Sequence, residues 1–359
     1  MNTESIATMA QITMAKSEEA QEALALVKKL QKRFVDKLNE LSFTLGAHKD
    51  FQEVIWARDE GKHGGGSRFE SQDNKLFNTA SVNVSQVHYD DEPSKKLQSA
   101  SAISTIIHPK NPKVPSIHIH ISLTKLRDDS SYWRIMADLN PSLENNGDKE
   151  FFIQALKKAS KKSSKECFDE GIKQGDKYFY IPALKKHRGV SHFYLENYNT
   201  EEKEKDFEFA QNFGNIIIDA YIDIITNAYK KRTCFSIHDI TQQLDYHTLY
   251  LFQVLTLDRG TTSGLLIHNQ NDLGIMASLP KFVNKKLLLS WAKNLEYPQN
   301  ILVEKIVEDI NSKGEINDIS KIKLAQTVRN HYKEYPESLK MQASGNTVPT
   351  TVSNHQVKV

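Results

Sequence analysis

The sequence predicts an α+β fold in which helices pack on a largely antiparallel sheet, and three observations carry that expectation. Strand-like and helix-like segments arrive in blocks rather than in strict βαβ alternation. Residues 116–123 alternate without a break, Ile117, Ile119, Ile121 and Leu123 against Ser116, His118, His120 and Ser122, which marks a strand with one buried face. Residues 17–41 place Leu24, Val27, Leu30, Phe34, Leu38 and Leu41 at three- and four-residue steps, the stripe of a long amphipathic helix with Ser17 at its N-cap.

After that first helix comes the cluster Gly64-Gly65-Gly66, read either as a flexible loop or as a cradle of backbone N–H donors for an anion. A β-rich stretch follows, with residues 81–89 spaced for a strand. Residues 149–171 read as one helix whose lysines 157, 158, 161, 162 and 165 form a solvated face, and residues 178–196 return to strand character around Arg188-Gly189. Thr200-Glu201-Glu202 opens another helix with Phe213, Ile217, Ala220 and Ile224 as its buried stripe. Residues 249–257 form a nearly unbroken apolar run, read as a strand ended by Asp258-Arg259-Gly260-Thr261, and residues 264–268 continue the β pattern. Two short helices are predicted near residues 301–310 and 319–332. Residues 1–16 read as a flexible N-terminus, 17–294 as the main domain, 295–340 as a helical C-terminal extension and 341–359 as a disordered tail.

The chain has 359 residues, 47 Lys+Arg against 45 Asp+Glu, and a formal net charge of +2 with the signs mixed, so the basic footprint of a nucleic-acid binder is missing. Its 2 cysteines, Cys167 and Cys234, do not make a disulfide framework or a multi-cysteine metal site, which suits a reducing, cytoplasmic setting. No stretch reaches the ~18 apolar residues that span a bilayer. The best approach to one, residues 213–229, is interrupted by Asp219 and Asp223. Walker A, GxGxxG, GxSxG and HExxH patterns are all missing from the sequence.

Several segments in a fixed order resemble the oxygen-dependent coproporphyrinogen III oxidase family. They are Trp56-Ala57-Arg58 with Gly64 to Arg68; "FNTASVNVSQVH" at residues 77–88, similar to "FEKAGVNVSVVH"; His108-Pro109-Lys110-Asn111-Pro112 with Val114 to His118; Ala137-Asp138-Leu139-Asn140-Pro141; Tyr178 to Pro182 with Arg188-Gly189; Asp258-Arg259-Gly260-Thr261 with Gly264-Leu265; and "MASLP" at residues 276–280. The resemblance covers about residues 20–294. It implies a large antiparallel sheet flanked by helices on both faces, a homodimer, and a cleft for a tetrapyrrole whose propionates are oxidatively decarboxylated to vinyls by dioxygen without metal or organic cofactor. Such chemistry needs cations to hold carboxylates and a carboxylate or imidazole near the pyrrole N–H groups. By the resemblance, His118, Asp138 and Arg188 are the catalytic candidates, with Asp138 facing the pyrroles and Arg188 clamping a propionate. Asn83, Ser85, Arg259 and Gly260 are the candidate substrate-binding residues.

The departures alter the expected site. Where the family reads "HFNYR", this chain reads His118-Ile119-His120-Ile121-Ser122, so an Arg that can clamp a carboxylate becomes Ser122. "GGGADLTP" becomes Arg134 to Pro141, with Arg134, Ile135 and Met136 in place of three small residues, and the glycines after Arg188-Gly189 become Ser191 and His192. Histidines two apart on a strand share a face roughly 6.5–7 Å apart. His118 and His120, joined by His192 from the next pocket strand, are therefore candidate ligands for a divalent transition metal (Fe, Cu or Zn). Against this stands the plainer reading of His120 and His192 as polar fillings of a narrowed cleft, and of Asp138 with Arg188 as a structural ion pair.

The function expected is an oxygen-dependent oxidoreductase acting on a small carboxylate-bearing molecule with dioxygen, as a homodimer, with neither nucleic acid nor a membrane span. The alternatives are a paralogue oxidising a smaller non-porphyrin substrate at a His-bound metal, and a catalytically silent ligand-binding protein.

Overall fold

The computed structural model describes residues 12–47, 49–161, 163, 165–268, 270–343 and 351–355. Residues 1–11 of the expected N-terminal segment lie outside that range. The next few are tied down: Thr13 Oγ1 donates to the Gly61 carbonyl at 2.8 Å and the Ala15 N–H donates to Gln86 Oε1 at 2.9 Å.

One antiparallel sheet of seven strands organises the molecule, in the order β1 (Gln52–Ala57), β2 (Gly64–Glu70), β3 (Phe77–His88), β4 (Leu97–Pro109), β5 (Ser116–Leu126), β6 (Ser131–Asn140) and β9 (Ser191–Tyr198). The two-residue strands β7 (Tyr180–Ile181) and β8 (Lys186–His187) pair with each other before the chain enters β9. Because side chains alternate across a strand, the register sorts the sheet into two chemically distinct faces. Val84, Ile103, Ile121, Ile135 and Leu195 stand abreast on one; Asn83, Ser104, His120, Met136 and Tyr194 stand abreast on the other. The triglycine is part of β2, neither loop nor cradle. A Cβ on Gly66 would come within 2.0 Å of the Val84 carbonyl oxygen on the neighbouring strand, so side chains are excluded there by backbone contact.

The apolar face is covered by α1 (Glu18–Thr44) and α4 (Lys203–Lys231). The stripe read from the sequence is buried as expected: Val27, Leu30, Phe34 and Leu38 from α1 join Phe213, Ile217 and Ile224 from α4 and the sheet isoleucines in one core. Ser17 occupies the N-cap of α1 without a side-chain cap bond. The two helices approach closely at Gly214, where a Cβ would meet Leu30 Cδ1 at 2.6 Å. The helix expected over 149–171 is two, α2 (Asn146–Ser160) and α3 (Lys165–Phe179). The break falls in the Lys-Lys-Ser-Ser-Lys run, a sequence of weak helix propensity at its serines, and the Ser163 hydroxyl meets the Tyr198 hydroxyl at 2.7 Å. Lys162 lies outside the described residues.

The polar face is roofed by helices the sequence reading placed elsewhere. The apolar run at 249–257 is not a strand; it is the C-terminal half of α5 (Ile237–Thr256), and the β pattern at 264–268 is the end of α6 (Arg259–Ile267). α5 opens with a capping box in which the Ser236 side chain accepts from the Asp239 N–H while Asp239 reaches back to the Ser236 N–H. Every residue from Tyr246 to Thr256 is buried, so this half of the helix is enclosed on all sides and its burial shows no amphipathic period. The chain continues through α7 (Asp272–Ile275), α8 (Lys285–Ala292), α9 (Gln299–Asp309) and α10 (Asp318–Glu334). Leu302, Val303 and Ile306 of α9 and Leu324 and Val328 of α10 share one apolar cluster with Leu251 and Leu255 of α5, so the core does not end at residue 294. Within the expected tail, α11 (Thr351–Asn354) is a single turn resting against α6.

Candidate functional site

Between the polar face of the sheet and the α5–α6 roof lies a cavity of about 310 Å³, at the lower end of the range for small-molecule sites. Its floor includes Asn83, Ser85, His118, His120, Ser122 and Arg134, and its roof Tyr250, Val254, Asp258, Arg259 and Gly260. All four residues expected to bind substrate therefore line it. Gly260 is not a backbone necessity, since the nearest atom to a Cβ there is Asp258 Oδ2 at 3.4 Å.

The catalytic candidates form one cluster at the floor. His118, Asp138 and His192 stand abreast on β5, β6 and β9. Asp138 has no exposed surface. Its Oδ2 accepts from Arg188 Nη2 at 2.7 Å and from Asn140 Nδ2 at 2.6 Å, and its Oδ1 lies 3.3 Å from His118 Nδ1. Burial favours the neutral acid, but Arg188, His118 and Asn140 outweigh it and hold Asp138 well below the usual carboxylate range. Arg188 is 2% exposed, and its guanidinium also stacks over Phe179 and Tyr250 at 4.8 and 4.9 Å from the ring centroids. Asp138 is not on the cavity wall. His118 lines the cavity instead, with its Nδ1 toward Asp138 and its Nε2 without a hydrogen-bond partner among the described residues. Arg188 lines the cavity, and its charge is matched by Asp138.

The three histidines offered as metal ligands do not converge. His192 shares the face but lies off the cavity, stacked on His187 and tilted against Phe179, with Nδ1 on Asp176 at 3.0 Å and Nε2 on the Arg188 carbonyl at 2.5 Å. His120 Nε2 bonds Ser122 Oγ at 2.9 Å, and burial, then the nearby Arg134 and His118, push its pKa down to about 3. Among the described residues, the one group of His, Cys, Asp and Glu close enough to share an ion is elsewhere, at His63, Asp91 and Glu92, where Lys62 and Asp59 already pair with its members. Strand parity alone does not bring side chains to one point when one belongs to a strand wedged against α3.

Several lining residues escaped the sequence reading. Asp258 caps α6, accepting from the Thr261 N–H at 2.8 Å and from the Tyr178 hydroxyl at 2.6 Å. Burial opposes its charge, but Tyr178 and Thr261 outweigh that and lower its pKa. The D-x-x-T spacing at the head of a helix was the available signal, hidden by reading that segment as a strand end. Glu196 accepts an ion pair from Arg259 Nη2. At the mouth, Arg58 bonds the Tyr89 hydroxyl at 2.6 Å, and that hydroxyl meets His355 Nδ1 at 2.8 Å. No helix among the described residues is long and apolar enough to cross a membrane.

A sequence profile described as coproporphyrinogen III oxidase matches residues 22–309. The mitochondrial oxygen-dependent coproporphyrinogen-III oxidase of Rattus norvegicus is 27% identical over 283 residues, 72% of this chain and 61% of that protein. The human mitochondrial counterpart is 29% identical over 256 residues, 64% of this chain and 55% of its own length. The Rickettsia akari oxygen-dependent enzyme is 27% identical over 244 residues, covering 64% of this chain and 83% of itself. The chain thus spans less than two thirds of the length of the mammalian relatives it matches. The match takes in all seven strands of the sheet and the α5–α6 roof of the cavity, and the chain belongs to the coproporphyrinogen III oxidase family.

Proposed function

We propose that this protein is an oxygen-dependent oxidoreductase that oxidatively decarboxylates a carboxylate-bearing pyrrole substrate at the cavity between sheet and roof. The observation that carries the reading is His118, backed by an ionised, fully buried Asp138 and presented to a cavity whose roof carries Arg259 and Asp258. In this reading His118 exchanges a proton with the substrate's N–H groups, Asp138 orients the imidazole, and Arg188 is a positioning residue that keeps Asp138 ionised. Arg259 holds an anionic group. Conversion of a propionate to a vinyl releases CO2 and one β-hydrogen and removes two electrons. Dioxygen accepts those electrons and two protons, leaving as hydrogen peroxide.

The substrate favoured is smaller than a tetrapyrrole. Met136, abreast of His120 on the polar face, fills space above a floor that the family pattern leaves to a glycine. The test is oxygen uptake and CO2 release by the purified protein under air, with coproporphyrinogen III and with a monopyrrole carrying a propionate. The expected result is His118-dependent turnover of the monopyrrole and at least tenfold slower turnover of coproporphyrinogen III. The reverse order would overturn the size argument. Absence of uptake with either would return the protein to a silent ligand-binding role.

A further inference from the structure

We infer that Arg134 is a carboxylate-binding residue of this site, supplying from β6 a cation for one acidic group of the substrate. This deepens the function proposed above and rests on it for the substrate's identity, but the evidence for an anionic ligand is independent of the reaction.

Four arginines line the cavity. Arg58 is bonded to Tyr89, Arg188 to Asp138 and Arg259 to Glu196. Arg134 alone has neither a hydrogen bond nor an ion pair among the described residues, and its Nε is wholly buried without a partner. A guanidinium stays charged at any ordinary pH and carries five donors in a fixed fork. Left unmatched beside a low-dielectric cavity it is costly, and the ligand that matches the fork is a planar oxyanion bound through two parallel N–H···O bonds.

The backbone explains how the side chain comes to face inward. β6 and β9 lose register between Trp133, which pairs with Tyr198, and Ile135, which pairs with Leu195, so two residues of β9 oppose Arg134. Such a bulge bends the strand and re-aims the side chain. On the other side Arg134 pairs with Ser122, whose hydroxyl is turned to His120. The neighbours that act on Arg134 electrostatically include Tyr194, Tyr132, Tyr178, Glu196 and the like-charged Arg259, and the one carboxylate among these is already paired with Arg259.

Trp56 lines the same cavity, so quenching of intrinsic fluorescence in the full-length protein gives a binding readout. The probes are coproporphyrin III, its tetramethyl ester and citrate. Wild type should bind coproporphyrin III more tightly than the ester. Arg134→Met should weaken the acid by about 10- to 100-fold, the range for loss of a charged hydrogen-bonding partner, and leave the ester unchanged. Arg134→Lys should fall between, because the charge remains and the fork is lost. In the doubly substituted Ser122→Arg, Arg134→Ser protein, affinity should return, since the two positions face each other across the ladder. Without ligand, Arg134→Met should melt at or above wild type, whereas a structural arginine would lower the midpoint. If wild type binds citrate but not coproporphyrin III, and Arg134→Met abolishes citrate binding, the arginine's role stands for a ligand smaller than a tetrapyrrole. Equal binding of acid and ester, equal affinity in Arg134→Met or Arg134→Lys and wild type, or no binding of either acidic probe would overturn the inference and leave Arg134 matched by water alone.

Discussion

Asp138 and Arg188 are opposite charges with almost no contact with water, and that makes them hard to alter without altering the fold. Removing one member of a buried ion pair leaves the other uncompensated, at a cost of about 3–5 kcal/mol. Asp138→Asn keeps the shape and removes the charge, so its unfolding free energy in urea should drop by that amount along with the loss of activity. A loss below about 1 kcal/mol would mean that Arg188 finds another partner and that the pair serves catalysis alone. Because Arg188, His118 and Asn140 overcome burial to depress the folded-state pKa of Asp138, its contribution is present above the ordinary carboxylate pKa and is lost as pH falls below it. At this scale the sequence was legible where alternation rules: the His118 and His120 face follows from Ile117, Ile119 and Ile121. What lies abreast of that face does not follow, because register is set by turns and bulges spread over two strands. The consequence is largest at Arg134, which the sequence presents as an obstruction beside Asp138 and the structure presents across from Ser122.

The longest error in the element reading is α5. An apolar run such as residues 249–257 has the composition of a buried strand, and periodicity cannot separate that from a helix buried on all sides. The deciding information lay upstream, in the Ser236–Asp239 capping box, twenty residues from the apolar end. Turning this segment from strand to helix moves Tyr250 and Val254 into the roof of the cavity, so the site could not be assembled correctly without it. The same helix carries His247, 3% exposed and 5.2 Å from the His108 ring, with burial pushing its pKa down to about 3 from 6.5. The unfolded chain therefore takes up a proton that the folded chain refuses between those values. Stability is complete above about pH 6.5 and falls as pH drops toward 3, by about 2 kcal/mol per such histidine at pH 5. The measured check is the urea midpoint at pH 7 and pH 5. His247→Phe should show a shallower difference than wild type, and an unchanged difference would assign the slope to other groups.

Over the whole molecule, the sheet and α1 were legible because they repeat a simple period, while the coupling of the C-terminal helices to the site was not. Leu302, Val303, Leu324 and Val328 belong to the apolar cluster that seats α5, and Gln299 Nε2 and the Tyr332 hydroxyl both donate to the Thr256 carbonyl, at 3.0 and 3.1 Å. Those contacts satisfy the last turn of the helix that roofs the cavity. A chain ending at residue 294 would bare this cluster to water, at roughly 1.5–3 kcal/mol for each large apolar side chain it had covered, which exceeds the net stability of most domains within a few residues. It should express as aggregate or melt without a cooperative transition. A chain ending at Ala343 keeps every one of those contacts and loses only what lies beyond, where Asn354 Nδ2 reaches the Tyr132 hydroxyl at 3.2 Å and His355 reaches Tyr89 at the mouth of the cavity. That shorter protein should melt within a few degrees of the full chain, while coproporphyrin III associates with it and leaves it faster in stopped-flow quenching of Trp56, because one wall of the entrance is gone. Cooperative folding of the 294-residue chain would show instead that the roof stands on the sheet alone.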